Sequence, residues 1–125
     1  MGRERKMTGE IGERIASGFL KKLGYRILGS NIRTPFGEID IVARIRRVMV
    51  FVEVKSRTTS SFGPPYLSVT KSKERHIVKS ALFYLKRSRI SDIDWRIDIV
   101  SVKLDHEREL EHIEVIENAV EDNHT

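Results

Sequence analysis

Two alternating stretches constrain this chain most: EIDIVAR (38–44) and VMVFVEVKS (48–56), separated by only Ile45–Arg47. Apolar residues at period two place alternate side chains on opposite faces of a strand, so Ile39, Ile41 and Ala43 are expected to share one face of the first. Two such strands this close in sequence form a hairpin. The second strand breaks the ordinary pattern. Val48, Val50, Val52 and Val54 occupy one side, whereas Met49 and Phe51 on the other give way to Glu53, Lys55 and Arg57. An acid and a base two residues apart therefore share one face of a strand that is otherwise apolar.

The flanking segments complete an α/β reading. TGEIGERIASGFLKKL (8–23) carries Ile11, Ile15, Ala16, Phe19, Leu20 and Leu23 at helical spacing, with Gly24 as a stop. YRILGSNIR (25–33) reads as a strand weakened at Gly29, and TPFG (34–37) as a turn. After a Ser/Thr/Gly/Pro loop (57–68), residues 70–87 form a second helix, capped by Thr70 or Ser72. Its stripe is Ile77, Val78, Ala81, Leu82 and Leu85. WRIDIVSVK (95–103) is a further strand, followed by a short one near Ile113–Ile116 and a final helical turn. The order is α-β-β-β-α-β with a small C-terminal addition, which predicts a central mixed sheet flanked by helices. With 125 residues there is material for one core. The expected boundaries are a flexible 1–7, a single domain over 8–120 and a flexible 121–125.

No uninterrupted apolar run exceeds five residues, against about 20 for a membrane-spanning helix. No secretory signal pattern opens the chain, and there is no cysteine for a disulfide or thiolate site. A cytoplasmic protein with no membrane partner is expected. Charge is unevenly spread. Residues 44–89 hold twelve Lys/Arg against two Asp/Glu, whereas residues 90–125 hold three against eleven. A positive middle raises the odds of a phosphate-rich partner.

If the hairpin closes at Arg46-Arg47, opposed residues have numbers summing to 93, and Asp40 faces Glu53. Cross-strand Cβ atoms lie about 4.5–5.5 Å apart. Two carboxylates at that distance repel unless a cation sits between them. An Asp–Glu pair beside a lysine suits Mg²⁺, which takes one or two carboxylates and completes its octahedron with waters and phosphate oxygens. Lys55 then positions water or phosphate. Glu13 is a third acid, about 20° from Leu20 around the helix and so on the flank of its buried stripe. The structural alternative leaves Asp40 and Glu53 exposed, with Lys55 paired to Glu38 across the hairpin. Arg57, the Thr58–Ser61 hydroxyls, Lys71, Lys73, Arg75 and Lys79 follow the acids in sequence and are donors of the kind that hold backbone phosphates. The four histidines have no coherent ligand spacing. Trp95 and Tyr84 read as core or rim aromatics, and Asp98 as a structural partner of Arg96 or a helix.

GEID (37–40), twelve further residues and EVK (53–55) resemble the signature of the PD-(D/E)xK nuclease superfamily, the restriction-endonuclease-like fold. Together with GERIASGFLKKLGYRILGSNIR (12–33), VFVEVKSR (50–57), FG (62–63), VTKSK (69–73) and ALFYL (81–85), the chain resembles the YraN-like family of small nuclease-like proteins from about residue 9 to residue 120. Ile39 replaces the superfamily's proline, and Lys71 a proline frequent in the family. The resemblance implies Asp40 and Glu53 as metal carboxylates, Glu13 as the helix-one glutamate of the same site, Lys55 as the catalytic lysine, and Mg²⁺ or Mn²⁺ as cofactor. The implied activity is hydrolysis of phosphodiester bonds in DNA, in its structure-specific form on branched or junction DNA as for Holliday junction resolvases, in repair or recombination, by a homodimer if two strands are cut. The alternative is a nucleic-acid-binding module that keeps the fold without turnover.

Overall fold

The computed structural model describes residues 2–58 and 65–120. Helix α1 (Gly2–Lys22) leads into strands β1 (Arg26–Thr34), β2 (Gly37–Ile45) and β3 (Val48–Thr58). A short 3-10 turn (Pro65–Ser68) precedes helix α2 (Lys71–Arg87), and strands β4 (Asp94–Leu104) and β5 (Leu110–Ile116) follow. The five strands lie in sequence order across one sheet. Only β3 and β4 are parallel, joined by the crossover through α2. The sheet is mixed, as the sequence predicts, with the α-β-β-β-α-β order of a restriction-endonuclease-like core.

The helices cover opposite faces of the sheet. Ala16 and Leu20 of α1 pack with Ile41, Ala43, Val50, Val52, Val54, Val100, Val102 and Leu104. Val78, Ala81 and Leu85 of α2 pack with Val42, Met49, Phe51, Ile97 and Ile99. The central strands β3 and β4 are therefore buried on both faces over most of their length.

Local chemistry sets the element ends. Gly24 stops α1 at φ +97°, a conformation that disfavours other residues, and Tyr25 N–H bonds back to Leu20 O at 3.0 Å. Thr70 is the cap of α2, its hydroxyl accepting from Lys73 N–H at 3.2 Å. The β2–β3 ladder runs in the expected register, from Ile45↔Val48 to Ile41↔Val52. Arg46, at φ +54°, absorbs the unfavourable backbone of the two-residue turn.

Three expectations need correction. Helix α1 begins at Gly2, not residue 8, because GRERKM consists mainly of good helix formers with no apolar stripe to reveal them. Ile39 does not share a face with Ile41 and Ala43. It packs in the α2-side cluster, whereas those two lie on the α1 side. In place of a final helical turn, the residues after β5 fold back on β4. Ala119 N–H bonds to Ile97 O and Asn118 N–H to an Asp98 carboxylate oxygen. Residues 59–64 and 121–125, including the Thr59–Ser61 hydroxyls, Phe62-Gly63 and the proposed C-terminal segment, lie outside the described residues.

Candidate active site

The reversal of faces between Ile39 and Ile41 is centred on Asp40. The β2–β3 ladder ends at Ile41↔Val52, and the Asp40 carboxylate then accepts the Val54 backbone N–H at 2.8 Å. A side chain thus satisfies a strand donor that has lost its backbone partner. On the other side of β2, Asn31 adopts φ +52°, a left-handed conformation that asparagine tolerates better than most residues. Both strands are distorted at the same level of the sheet, and the distortion aims Asp40 along the sheet instead of into either core.

Glu53 follows Val52 on β3, in the half-buried position the alternation assigns to it. Its carboxyl lies within hydrogen-bonding reach of Asp40, and its pKa is pushed up to about 8 by burial first, then by the charge and hydrogen bond of Asp40; Lys55 and Lys73 oppose the rise. Glu53 therefore holds its proton at neutral pH, facing Asp40. Lys55 Nζ lies 3.9 Å from Glu53 Oε1, with both side chains about four-fifths buried. The alternative pairing of Lys55 with Glu38 is not what forms. Lys73, from the first turn of α2, reaches the same place. Contact with Lys55 and repulsion from its charge, with burial, push the Lys73 pKa down, and Glu53 opposes the fall.

Glu13 stands on the α1 side of this group. Its pKa is pushed up to about 7 by burial, then by Asp40, Glu38 and Glu10. With the Asn31 amide turned to satisfy both its ends, its nitrogen donates to Glu13 Oε1 at 2.8 Å and to Glu38 Oε1 at 3.0 Å. Asn31 is thus a neighbour of the site that the sequence reading did not single out, and Glu38 joins it as a partner of Asn31 instead of Lys55. The signal available was an αL-tolerant Asn two residues after the glycine that weakens the strand. Among the described residues no three His, Asp or Glu side chains converge into a ready ligand set. Asp40 and Glu53 are brought together, and Glu13 is adjacent.

Two clefts meet at the cluster. One, of about 400 Å³, runs beneath α1 and is lined by Glu10, Glu13, Arg14, Asn31 and Asp40. The other, of about 250 Å³, opens toward α2 and is lined by Glu38, Glu53, Lys55, Lys73 and His76, with Phe36 at its edge. Of the phosphate donors expected from sequence, Lys73 lines this second cleft. Arg57 and Thr58 continue β3 beyond Lys55, half-buried, and Lys71 and Lys79 are exposed on α2. Lys79 is turned away to the Phe36 ring, its Nζ 5.7 Å from the centroid.

A family model described as "Uncharacterised protein family UPF0102" matches residues 12–102, a span that contains every member of the cluster. The chain belongs to the UPF0102 family. This is the YraN-like family whose resemblance the sequence carries. A UPF0102 protein of Desulfosudis oleivorans is 48% identical over 100 residues, covering 80% of this chain and 81% of the relative. One from Syntrophus aciditrophicus is 46% identical over 114 residues, with 91% and 88% coverage. One from Dehalococcoides mccartyi is 41% identical over 120 residues, with 96% and 98% coverage. The UPF0102 similarity thus spans the whole α-β-β-β-α-β core. Among the described residues, no helix is long and apolar enough to cross a membrane.

Proposed function

We propose that this chain is a Mg²⁺- or Mn²⁺-dependent nuclease that hydrolyses phosphodiester bonds in DNA. The observation that carries the reading is the pairing of Asp40 with Glu53 beside Lys55. The Asp40 charge disfavours ionisation of Glu53, and a hard divalent cation held by these oxygen donors would offset it. The adjoining lysines have the opposite deficit. Lys55 lies close enough to Lys73 to disfavour the charge on Lys73, and an anion between them relieves that. A phosphodiester next to a divalent ion supplies both missing charges at once.

In this mechanism Asp40 and Glu53 hold the ion, with Asp40 fixed in direction by the Val54 N–H. The bound ion supplies Lewis-acid stabilisation of the charge that develops on the phosphoryl oxygens. Glu13 acts from the α1 side, oriented through Asn31, and adds negative potential that favours the ion. Lys55 donates to the attacking water or the scissile phosphate. Its role is positioning and charge stabilisation, from a point 3.9 Å from Glu53 Oε1. Lys73 holds the neighbouring phosphate oxygen. Arg57, Thr58 and Lys71 extend the contact along the backbone without reading bases, so binding falls steeply with salt.

The test is cleavage of single-stranded, duplex and branched DNA in Mn²⁺ by the wild type, Asp40→Ala and Lys55→Ala. The expected result is cutting by the wild type and a loss of at least 100-fold in each variant, on the order of what one electrostatic group contributes. Equal activity in all three would indicate a contaminant and remove the reading. Binding without cutting by the wild type would assign the chain to nucleic-acid-binding modules instead.

A further inference from the structure

Phe36 occupies the tip of the β1–β2 turn, with 41% of its surface in solvent, at the edge of the cleft that holds Glu53, Lys55 and Lys73. An exposed phenyl on a turn is ordinary; the way this turn is fastened is not. Thr34 Oγ1 accepts the Phe36 N–H at 3.1 Å and donates to Gly37 O at 2.7 Å. With its one proton committed there, it accepts from Ser80 Oγ at 2.8 Å. Ser80 is only 2% exposed, so a buried hydroxyl of α2 staples the turn to the helix. The ring also meets Phe83 edge-on, centroids 6.4 Å apart, and lies under the Lys79 ammonium. The ring is thus held in place beside a cation, on the wall of the cleft that also holds Glu53, Lys55 and Lys73.

We propose that Phe36 is a stacking platform for an unpaired nucleobase adjacent to the scissile phosphate, so that the site prefers DNA with unpaired nucleotides over perfect duplex. The inference rests on the nuclease reading above and adds the substrate feature that reading leaves open. Every base has a π-face, so such a platform selects for an unstacked base and not for a particular one. A duplex base, already stacked, presents no free face to Phe36.

The experiment compares two duplexes that are identical except for one unpaired nucleotide, replaced by fluorescent 2-aminopurine for the optical measurement. Binding is followed by anisotropy in Ca²⁺ and cleavage in Mn²⁺. The wild type should bind and cut the unpaired substrate on the order of tenfold better and quench the 2-aminopurine. Phe36→Leu, which keeps an apolar contact with Phe83, should lose both the preference and the quenching; Phe36→Trp should keep them. A preference that survives in Phe36→Leu, or a wild type that cuts both substrates equally, overturns the platform and leaves the nuclease intact. A wild type that neither binds nor cuts either substrate overturns both, and the ring then serves a different contact.

Discussion

Asp40 Oδ2 accepts the backbone N–H of Val54 at 2.8 Å, just past the last paired residues of the β2–β3 ladder, Ile41 and Val52. One side chain therefore ends a hairpin ladder and fixes the direction of the carboxylate that faces Glu53. The two consequences can be separated by substitution. Asp40→Asn keeps an oxygen that can accept from Val54 but removes the charge. It should fold with near wild-type stability, return the Glu53 pKa toward the ordinary carboxylate range and weaken Mn²⁺ binding tenfold or more in calorimetry. Asp40→Ala also orphans the Val54 N–H and should cost about 1–3 kcal/mol in urea denaturation.

The protons held by Glu53 and Glu13 predict a pH dependence of stability. Both carboxyls have folded-state pKa values raised from 4.5, to about 8 and about 7. The folded protein binds protons more tightly than the unfolded chain at these sites. The associated stability is fully present below pH 4.5 and is lost as pH rises through about 7 and then about 8. Thermal melts in EDTA should therefore show Tm falling between pH 5 and pH 8.5, and Glu53→Gln should flatten most of the slope. Mn²⁺ should restore stability chiefly at the alkaline end, where the carboxylates are free to bind it.

Gly12 explains how α1 can bring Glu13 so close. A Cβ on Gly12 would collide with the Ser56 side chain, 2.7 Å from its Cβ and nearer still to its hydroxyl. The helix therefore rests on β3 at a position where only glycine fits. Gly12→Ala should destabilise the fold by about 1–3 kcal/mol through overpacking and lift Glu13 away from Asp40. Gly12→Ala combined with Ser56→Gly should recover much of the loss in urea titrations.

Asp98 is fully buried and held by Arg96 Nε at 3.0 Å, the Tyr25 hydroxyl at 3.1 Å and Asn118 N–H at 2.9 Å. The network ties the start of β1 and the turn after β5 to β4. Asp98→Ala leaves a half-buried cation, a buried tyrosine hydroxyl and the Asn118 N–H without this acceptor and should cost about 1–3 kcal/mol by urea denaturation. The carboxylate pair lies elsewhere, so divalent-ion affinity per folded molecule should be unchanged.

The parts of this architecture that follow from periodicity were legible in the sequence. Alternation in β3 and over residues 41–45 of β2, with a short turn, fixes the register of the ladder, and Asp40 and Glu53 follow directly beyond its last pair. Thr70 announces α2, and Asp98 is recognisable as an acid bonded to Arg96. Periodicity fails where side chains, not backbone, decide. EIDIVA alternates on paper, yet Ile39 and Ile41 face opposite cores because the Asp40 carboxylate replaces a ladder bond. Asn31 and Glu38 enter the site through an amide bridge between strands and helix, a contact no local pattern encodes. The polar start of α1 carries helix formers without a stripe, and the staple that fixes Phe36 joins Thr34 to Ser80, 46 residues later.

The most direct test of the account is a crystal of the wild-type protein soaked in Mn²⁺ and measured at the manganese edge. A single anomalous peak bridging the Asp40 and Glu53 carboxylates, with Lys55 alongside and no peak in Asp40→Asn crystals, is the predicted result. Strong anomalous signal elsewhere on the molecule, with those two carboxyls still joined by their proton at alkaline pH, would contradict it.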